Sequence, residues 1–423
     1  MTKRRHMFFC RFIFVHLQIL VLCLTALWYG GCVQATPRLS EFTPRIPATT
    51  HANLHLGDKE RRDGRFVGLA ISGGGSRAAV FGGAVLKELN RLGVLGEVDV
   101  LSAVSGGGLP AAYYALDGYG TIDFANGFME RMGHDFQSDV RGRWLSPPNL
   151  LRYWFTDATR SDIVVKVFDD ELFHGATYAD LNPHRPKLLL NATNALTGEP
   201  FVISDESFAT LDAPLASYSL ARAVYMSAAY PGVFEPVVLR NGAAESGGSS
   251  RPAVLAYDGG SVDNLGVTTV LNLLNKIAER ESFAAAFPNG CLVLSVDATP
   301  RIGRENTQPL TASTVLLQSN RREVLERVGI PADQQDRTMF GTFTVGRNGS
   351  GSACRFWHLS LRQLPDEDSL GARAARIKTS LGLDPADQEA LVRAAERLVQ
   401  YALREAEGRE IVNMLVPRTT GKE

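Results

Sequence analysis

Short, uninterrupted runs of apolar residues recur along the chain and are separated by segments with a helical apolar period. The first run covers residues 66–71, and a continuous apolar run of this length is typical of a strand buried on both faces. Similar runs lie at residues 98–104, 187–190, 253–257 and 291–296. This alternation of strands and helices predicts an α/β fold with a mainly parallel sheet covered by helices.

Three of the intervening or following segments have one apolar helical face. The first face is followed by Gly93, which is typical of a helix stop, and Asp384-Pro385 is predicted to open the last helix. The three faces consist of Phe81, Val85, Leu89 and Leu92; of Val267, Val270, Leu271, Leu274 and Ile277; and of Leu391, Ala395, Leu398 and Ala402. Such faces predict amphipathic helices that bury their apolar side.

The first 35 residues have the layout of a targeting segment. A basic start without acidic residues is followed by an apolar run from Phe12 to Trp28 and then by small residues. Cleavage of a signal peptide after Ala35, lipid attachment at Cys32 and retention as an uncleaved membrane anchor remain open. Each of these outcomes makes the protein exported: periplasmic, secreted or membrane-anchored.

The rest of the chain divides into three predicted regions. Residues 36–65 contain three prolines and a charged cluster and have no apolar period, so they are predicted to be a tether. Residues 66–375 are predicted to form the functional domain, and residues 376–423 a helical extension that packs on it. The Asn-, Gly- and Ser-rich stretch 240–251 is predicted to be a surface insertion.

Composition and charge narrow the classes of function. The chain has 423 residues, of which 45% are hydrophobic and 21% charged, which excludes wholesale disorder. Lys+Arg 44 against Asp+Glu 45 gives a formal charge of −1, and without the four basic residues of the leader the charge is −5. That charge attracts no polyanion, so a nucleic-acid partner is not expected.

Five cysteines give no metal signature, because no Cys/His cluster has the spacing of metal ligands. Three cysteines lie in the leader, and Cys291 and Cys354 each lie beside an apolar run. An exported protein can join them in one disulfide. Two separately buried thiols are the interpretation we favour from the sequence.

The first motif is the glycine-rich segment SGGGSRA at residues 72–78, between the first strand and the first helix. Backbone N–H groups that converge at a helix N-terminus form an anion site. Gly73-x-Gly75-x-x-Ala78 also fits a dinucleotide-binding loop, although this motif alone is weak. A tight strand–helix turn without a ligand is the remaining alternative.

The second motif is AVSGGG at residues 103–108. Ser105 follows an apolar strand, has small neighbours and precedes a helical pattern, as a nucleophile on a strand–helix elbow does. In the usual G-x-S-x-G elbow pattern Gly107 matches the last position, whereas Ala103 replaces the first glycine. The alternative is that Ser105 only caps its helix.

The third motif, Asp258-Gly259-Gly260, closes the run at 253–257. A carboxylate at this point can accept the serine proton as a general base, and an ordinary Asp-Gly turn is the alternative. All three motifs follow predicted strands, where open α/β sheets bind ligands, and together they supply what acyl transfer needs. Asp263 and Asp297, also near strand ends or turns, are predicted to be structural.

The order of these motifs resembles the patatin-like phospholipase family: Gly-Gly-Gly-x-Arg, then the serine elbow, then Asp-Gly-Gly. Residues 191–201 and 221–237 add to the resemblance, which covers residues 66–296 well and the remainder loosely. Ala103, and Ala78 where the family usually has glycine, are departures from the pattern.

This resemblance implies a three-layer α/β/α sandwich and a serine acyl hydrolase with a Ser–Asp dyad that needs no histidine, cofactor or metal. Ser105 would be the nucleophile and Asp258 the base that activates it. The resemblance assigns the oxyanion hole to Gly73, Gly74 and Gly75, with Arg77 holding the loop. The expected substrates are phospholipids or related acyl esters, and the expected partner is a membrane surface.

Other functions remain as alternatives. An α/β-hydrolase triad would need His358, the only histidine after Asp258, which is more typical of a buried strand position. A non-catalytic lipid- or nucleotide-binding module would use the glycine loop alone. A nucleotide-dependent oxidoreductase would need an acid such as Glu97 or Asp99 after the loop, but it would leave Ser105 unexplained.

An aromatic stretch from Trp144 to Phe155 is a candidate acyl-chain wall or membrane-facing lid, and plain core packing is its alternative. Arg141, Arg143 and Arg152 are interleaved with it and are available to lipid phosphates unless they are merely solvated.

Overall fold

The computed structural model describes residues 63–116, 124, 127–156, 159–240, 253–280, 283–301, 312–346, 352–365 and 369–416. The predicted targeting segment, nearly all of the predicted tether and nearly all of the stretch 240–251 lie outside the described residues. In the described part of the chain, no helix combines the length and apolar character needed to cross a membrane.

One mixed sheet organises the described residues. Its strands are β1 (Phe66–Ile71), β2 (Val100–Val104), β3 (Lys187–Asn194), β4 (Glu199–Ile203), β5 (Val237–Leu239), β6 (Val254–Asp258), β7 (Cys291–Asp297), β8 (Phe340–Val345) and β9 (Ser352–Ser360). Their order is β5-β6-β3-β2-β1-β7-β9-β8, and β4 pairs along β3. Strands β3, β2, β1, β7 and β9 are parallel to their neighbours in this series, whereas β4, β6 and β8 pair antiparallel to it. The prediction of a mainly parallel sheet is confirmed.

Helices lie along the chain between and after these strands. They are α1 (Gly75–Arg91), α2 (Gly108–Leu116), α3 (Gly127–Met132), α4 (Phe136–Trp144), α5 (Pro147–Phe155), α6 (Arg160–Phe168), α7 (Asp205–Ala209), α8 (Leu220–Ala228), α9 (Gly260–Asp263), α10 (Val267–Arg280), α11 (Phe283–Ala286), α12 (Ala312–Arg327), α13 (Ser369–Ala374), α14 (Pro385–Arg404) and α15 (Ala406–Leu415). The predicted stop after α1 is confirmed, since Gly93 has a φ of 78°. Pro385 opens α14 as predicted.

Both faces of the sheet are buried, which explains the continuous apolar runs. Alternate β1 residues enter two different cores: Val67 and Leu69 contact the core that contains α1, α2, α8 and α14, whereas Phe66 and Ala70 contact the core that contains α10 and part of α12. Helices therefore cover the two faces of one sheet. The chain has the predicted α/β/α sandwich.

The C-terminal helices join the first of these cores. The predicted apolar stripe of α14 is buried, at Leu391, Ala395, Leu398 and Ala402. These residues belong to the same hydrophobic cluster as the apolar face of α1. The end of the chain thus helps to hold the helix that follows the glycine-rich loop.

Cys291 and Cys354 form a disulfide between β7 and β9. The two residues are direct register partners, and their Cα atoms are 4.7 Å apart, within the range that a disulfide spans. The interpretation as two separate thiols is wrong, because parallel pairing of the two strands brings the side chains face to face. The two cysteines are 63 residues apart in the sequence, so local patterns do not predict this register.

Candidate active site

Two strands approach the candidate site from opposite directions along one edge of β3. Val104 of β2 pairs with Asn191, and Asp258 of β6 pairs with the next residue, Ala192. Since β4 pairs with both of these β3 residues, β2 and β6 share the other edge of β3. The ends of β2 and β6 therefore meet, which brings Ser105 and Asp258 together although 153 positions separate them.

Ser105 occupies a sharp turn directly after β2. Its φ of 51° lies in the left-handed region, which costs energy for a residue with a side chain and is common at functional sites. A Cβ on Gly106 would lie 2.0 Å from the Gly75 carbonyl oxygen, and one on Gly107 2.5 Å from that of Ser72. The small neighbours are thus required by close packing of the elbow on the glycine-rich loop.

Ala103 fits where the usual elbow pattern has glycine. It lies within β2, fully buried, between its register partners Ile71 and Leu190. The strand therefore accommodates the additional methyl group two residues before Ser105.

Asp258 lies 6% exposed at the end of β6. Its carboxylate accepts a hydrogen bond from the Gly260 N–H at 2.8 Å and one from the side chain of Ser105. Burial raises the pKa of Asp258 to about 6, against the lowering effect of these two donors. Asp258 therefore both forms the Asp-Gly turn and contacts Ser105. The Ser105 side chain bonds to Asp258, and this bond is not a helix-capping contact.

A buried hydrogen-bond network fixes the Ser105 backbone. The Ser105 N–H donates to Ser227 Oγ at 2.9 Å, and this hydroxyl donates to the Asn191 carbonyl oxygen at 2.6 Å. The Asn191 side chain in turn donates to the Ala103 carbonyl oxygen at 2.9 Å. No motif predicts a role for Ser227 or Asn191, and their signal in the sequence is a polar residue at a buried helix or strand position.

The glycine-rich loop lies at the N-terminus of the 17-residue α1. Gly74 and Gly75 have φ values of 143° and 59°, and neither N–H has a hydrogen-bond acceptor among the described residues. The Gly73 N–H, in contrast to the prediction, donates to the Asn264 carbonyl oxygen at 3.0 Å. Gly74 and Gly75 are therefore the glycines of this loop whose N–H groups remain available among the described residues, at the positive end of a helix.

Arg77 holds this loop from behind and does not point a free charge into the site. Its guanidinium donates to the carbonyl oxygens of Ala298 and Ile377, each at 2.7 Å. Burial lowers the pKa of Arg77 to about 10, opposed by the charge of Asp297. Three segments are joined by one side chain: the glycine-rich loop, the end of β7 and the chain before α14.

Asp263 and Asp297 have the contacts of structural carboxylates. Asp263 accepts the N–H groups of Gly266 and Thr268 at 3.0 and 2.9 Å. Asp297 accepts a hydrogen bond from Arg321 Nε at 2.8 Å. Both carboxylates are nearly or fully buried.

His358 lies on β9, three strands from β2, so roughly 14 Å of sheet separates it from the serine elbow. Its Nε2 is 3.6 Å from Asp297 Oδ2, and its Nδ1 is 3.2 Å from Ser295 Oγ. The geometry does not support a triad, because this histidine contacts the structural carboxylate.

A cavity of about 1120 Å³ opens over the Ser105–Asp258 pair. Gly74, Gly75 and both members of the pair line one wall. Much of the remaining wall is apolar or aromatic: Leu109, Val140, Trp144, Leu145, Phe168, Val233, Phe234, Leu317 and Leu381. This shape accepts an extended apolar group next to the two polar side chains.

The aromatic stretch forms part of this cavity and its surroundings. Trp144 lines the cavity, with the Arg160 guanidinium 4.3 Å from its ring centroid. Leu145, Trp154 and Phe155 are 61%, 69% and 82% exposed. Core packing is therefore the wrong interpretation for these residues, because they face solvent.

The interleaved arginines differ in their contacts. Arg143 pairs with Asp170 at 2.5 Å, whereas Arg141 is exposed and lines the cavity. The Arg152 side chain lies outside the described part of the structure.

Among the described residues, one group of side chains has ligand atoms close enough for a metal: His134, Asp139 and Glu171, within 4.8 Å of one another. These groups already have partners, since His134 contacts Asp139 at 2.7 Å and Arg143 lies 3.7 Å from Glu171. None of the three lines the cavity at Ser105.

Solved structures that are similar to this chain have low sequence identity to it. Human GIVD cytosolic phospholipase A2 is 13% identical with a TM-score of 0.49, over 83% of this chain and 60% of that one. Its complex with methyl gamma-linolenyl fluorophosphonate is 15% identical with a TM-score of 0.46, over 85% and 60%. VipD from Legionella pneumophila is 12% identical with a TM-score of 0.37, over 80% and 67%. The chain thus spans about 60% of the length of the human structures, and likenesses this distant are no evidence of a shared activity.

A sequence model of a protein family matches part of the chain. No curated protein matches the sequence significantly. The model of the patatin-like phospholipase family matches residues 69–271, which include the glycine-rich loop, the serine elbow and Asp258. Residues 69–271 of this chain therefore match the patatin-like phospholipase family.

Proposed function

We propose that this protein is a serine hydrolase that cleaves fatty-acyl ester bonds of phospholipids or related lipids. One observation carries the proposal: the Ser105 side chain, on a strained turn, is hydrogen bonded to the buried Asp258 carboxylate beneath an apolar cavity. Serine is a weak nucleophile at its ordinary pKa and needs an adjacent base. Asp258, without a cationic partner among its described contacts, is suited to take the proton.

In the first half of the reaction, Ser105 Oγ attacks the ester carbonyl carbon while its proton moves to Asp258. The carbonyl oxygen becomes an oxyanion, which the N–H groups of Gly74 and Gly75 stabilise at the positive end of α1. The intermediate then expels the alcohol, which takes the proton from Asp258, and leaves an acyl group on Ser105.

In the second half, water attacks the acyl-enzyme. Asp258 accepts a proton from the water, the carbonyl oxygen again becomes an oxyanion, and collapse of this intermediate returns the proton to Ser105 Oγ. The products are a fatty acid and the free enzyme. Every step uses residues of this chain, the substrate and water.

The cavity supports a lipid as substrate, and its surroundings support a membrane as the source of that lipid. An acyl chain fits the apolar wall, while the exposed Leu145, Trp154 and Phe155 extend an apolar surface from the cavity. Tyr230 and Val233, also exposed, line the cavity itself. Exposed apolar residues that adjoin a lipid site suit insertion into the boundary of a bilayer.

We further propose that the protein is exported. The predicted targeting segment at residues 1–35 supports this, and so does the Cys291–Cys354 disulfide, since disulfides persist in oxidising compartments.

Labelling of the full-length chain with a fluorophosphonate tests the serine chemistry. We expect label on the wild type and on His358→Ala, and none on Ser105→Ala. A well-folded wild type that takes no label would contradict the hydrolase and favour a non-catalytic binding module.

Vesicle binding tests the membrane surface separately. Replacing Trp154 and Phe155 by serine should weaken sedimentation with lipid vesicles about tenfold, since two large apolar side chains lose a lipid environment. Hydrolysis of a water-soluble short-chain ester should stay within twofold. Unchanged vesicle binding would refute the membrane role of these residues.

A further inference from the structure

A second cavity of about 640 Å³ adjoins the first. The two cavities are adjacent, because both are lined by Gln137, Arg141 and Ser380. In contrast to the first, the second cavity is lined largely by charged residues: Arg141, Arg373, Arg376 and Lys378 with Asp135, Asp384 and Asp387.

The charges in this second cavity do not cancel. Arg373 is paired with Asp387 at 2.7 Å, and Asp135 accepts the backbone N–H of Ser138 at 3.0 Å, at the start of α4. The remaining cations are Arg141, Arg376 and Lys378. Within the part of the chain that the structure describes, these three form no ion pair, and all three are exposed. Asp135 and Asp384 are the carboxylates of this cavity outside the Arg373–Asp387 pair, so three cations stand against two carboxylates.

The segment that carries two of these cations is attached to the glycine-rich loop. The Ile377 carbonyl oxygen accepts from Arg77 at 2.7 Å, and the Ser380 carbonyl oxygen accepts from the Ser76 N–H at 2.8 Å. Even a Cβ on Gly75 would lie 2.3 Å from the Ser380 carbonyl oxygen. The cations are therefore held beside the loop that is to bind the oxyanion.

We propose that this second cavity binds the phosphate group of a phospholipid while its acyl chain occupies the first cavity. The inference rests on the proposed function. It adds that the enzyme recognises the phosphate group of its substrate. Arginine and lysine bind phosphate through charge-assisted hydrogen bonds. Arg376 and Lys378 lie outside the family match at residues 69–271, so two of the three cations come from the chain that follows the match.

Binding to the full-length Ser105→Ala protein tests the proposal without turnover. The probes are dihexanoylphosphatidylglycerol and dihexanoylglycerol, which share two acyl esters and differ in the anionic phosphoglycerol headgroup. Arg376→Gln with Lys378→Gln should weaken binding of the phospholipid about tenfold and leave the diacylglycerol within twofold. The matched control, Arg393→Gln with Lys276→Gln, also removes two surface cations and should change neither.

An unchanged affinity for the phospholipid would overturn the proposal, and so would an equal loss for both lipids, which would indicate a structural defect. Inorganic phosphate identifies the source of the ligand: wild-type affinity as high as for the phospholipid would overturn the headgroup assignment in favour of a free phosphate site.

The two proposals fail separately. Fluorophosphonate label on Ser105 with no effect of the double substitution on lipid binding removes only the phosphate site. Loss of phospholipid affinity in the double variant, with no label on the wild type, removes only the hydrolase.

Discussion

Asp258 and Asp297 end two strands of one sheet, and both are buried, yet their surroundings differ in charge. Asp297 faces Arg321 at 2.8 Å and His358 at 3.6 Å. Burial alone would raise its pKa, but the charge of Arg321 and the hydrogen bonds prevail and hold the pKa of Asp297 well below its ordinary value. Asp258 has hydrogen-bond donors but no such cation, so burial prevails and raises its pKa to about 6.

This difference separates a carboxylate that can move a proton from one that cannot. A base must bind a proton in the course of the reaction, and the arginine next to Asp297 makes protonation of that group unfavourable. Burial without a counter-charge makes protonation of Asp258 accessible near neutral pH. Both carboxylates end a strand, so this position does not identify the candidate base. Asp258 is distinguished by the absence of a cation among its contacts.

The largest expected effect is on activity at Asp258. Asp258→Asn keeps the shape of the side chain and removes the base, so hydrolysis of a short-chain ester should fall about 10³- to 10⁴-fold. The rate is measured beside circular dichroism and thermal unfolding to show that the fold persists. A loss below tenfold would mean that Asp258 is not the base.

The same substitution at Asp297 should act on stability. Asp297→Asn removes the buried carboxylate of Arg321 and leaves it only the partly exposed Asp336 at 3.4 Å, and breaking a buried pair from one side costs about 3–5 kcal/mol in the free energy of unfolding. Chemical denaturation measures this loss.

If Asp297→Asn does not fold, the double variant Asp297→Asn with Arg321→Met should recover stability, because neither charge then remains buried alone. A stable single variant with full activity would show that the two carboxylates differ less than their contacts indicate.

The pH dependence of stability sharpens the comparison further. The folded pKa of Asp258 lies above its ordinary value of 3.8, so its protonated form stabilises the fold below about pH 4, and this contribution is lost as pH rises through about 6. Asp258→Asn cannot ionise, so above pH 6 it should exceed the wild type by up to about 3 kcal/mol. Denaturation at pH 4 and pH 8 measures the difference, and an equal difference at both values would contradict it.

Asp297 should show the opposite sign. Its folded pKa is depressed, so its contribution to stability is present above the ordinary pKa and is lost as pH falls through the folded value. The cost of Asp297→Asn should therefore shrink in strong acid, whereas the gain from Asp258→Asn is confined to neutral and alkaline pH.

Much of the fold follows from the sequence, because local patterns carry it. Apolar runs such as 66–71 identify strands that are buried on both faces, and the stripe that contains Leu391 and Leu398 identifies a packed helix. Pairing across the sheet is not local. The Cys291–Cys354 register and the antiparallel entry of β6 depend on how distant strands align, and no residue near them encodes it.

The candidate site shows the same limit. Motif spacing singles out Ser105 and Asp258, and the structure places them in contact. Motif spacing does not show that the Gly73 N–H donates to Asn264, or that Ile377 and Ser380 support the loop, since the contacts of Ile377 and Ser380 join segments about 300 residues apart. Backbone hydrogen bonds carry no side-chain signature, so sequence motifs overlook them.

The smallest expected effect is at His358, which contacts Asp297 and would be the histidine of the rejected triad. Burial lowers the pKa of His358 to about 3, although Asp297 opposes this, so the imidazole is neutral from pH 5 to 8 and contributes no step to a pH–rate profile there. His358→Gln keeps a polar side chain near Ser295 and Asp297, and ester hydrolysis should remain within threefold of the wild type. The full pH–rate profile is the measurement, because a catalytic histidine would alter its shape and a packing residue would lower it uniformly. A changed shape would return His358 to the reaction and remove the distinction between the two carboxylates.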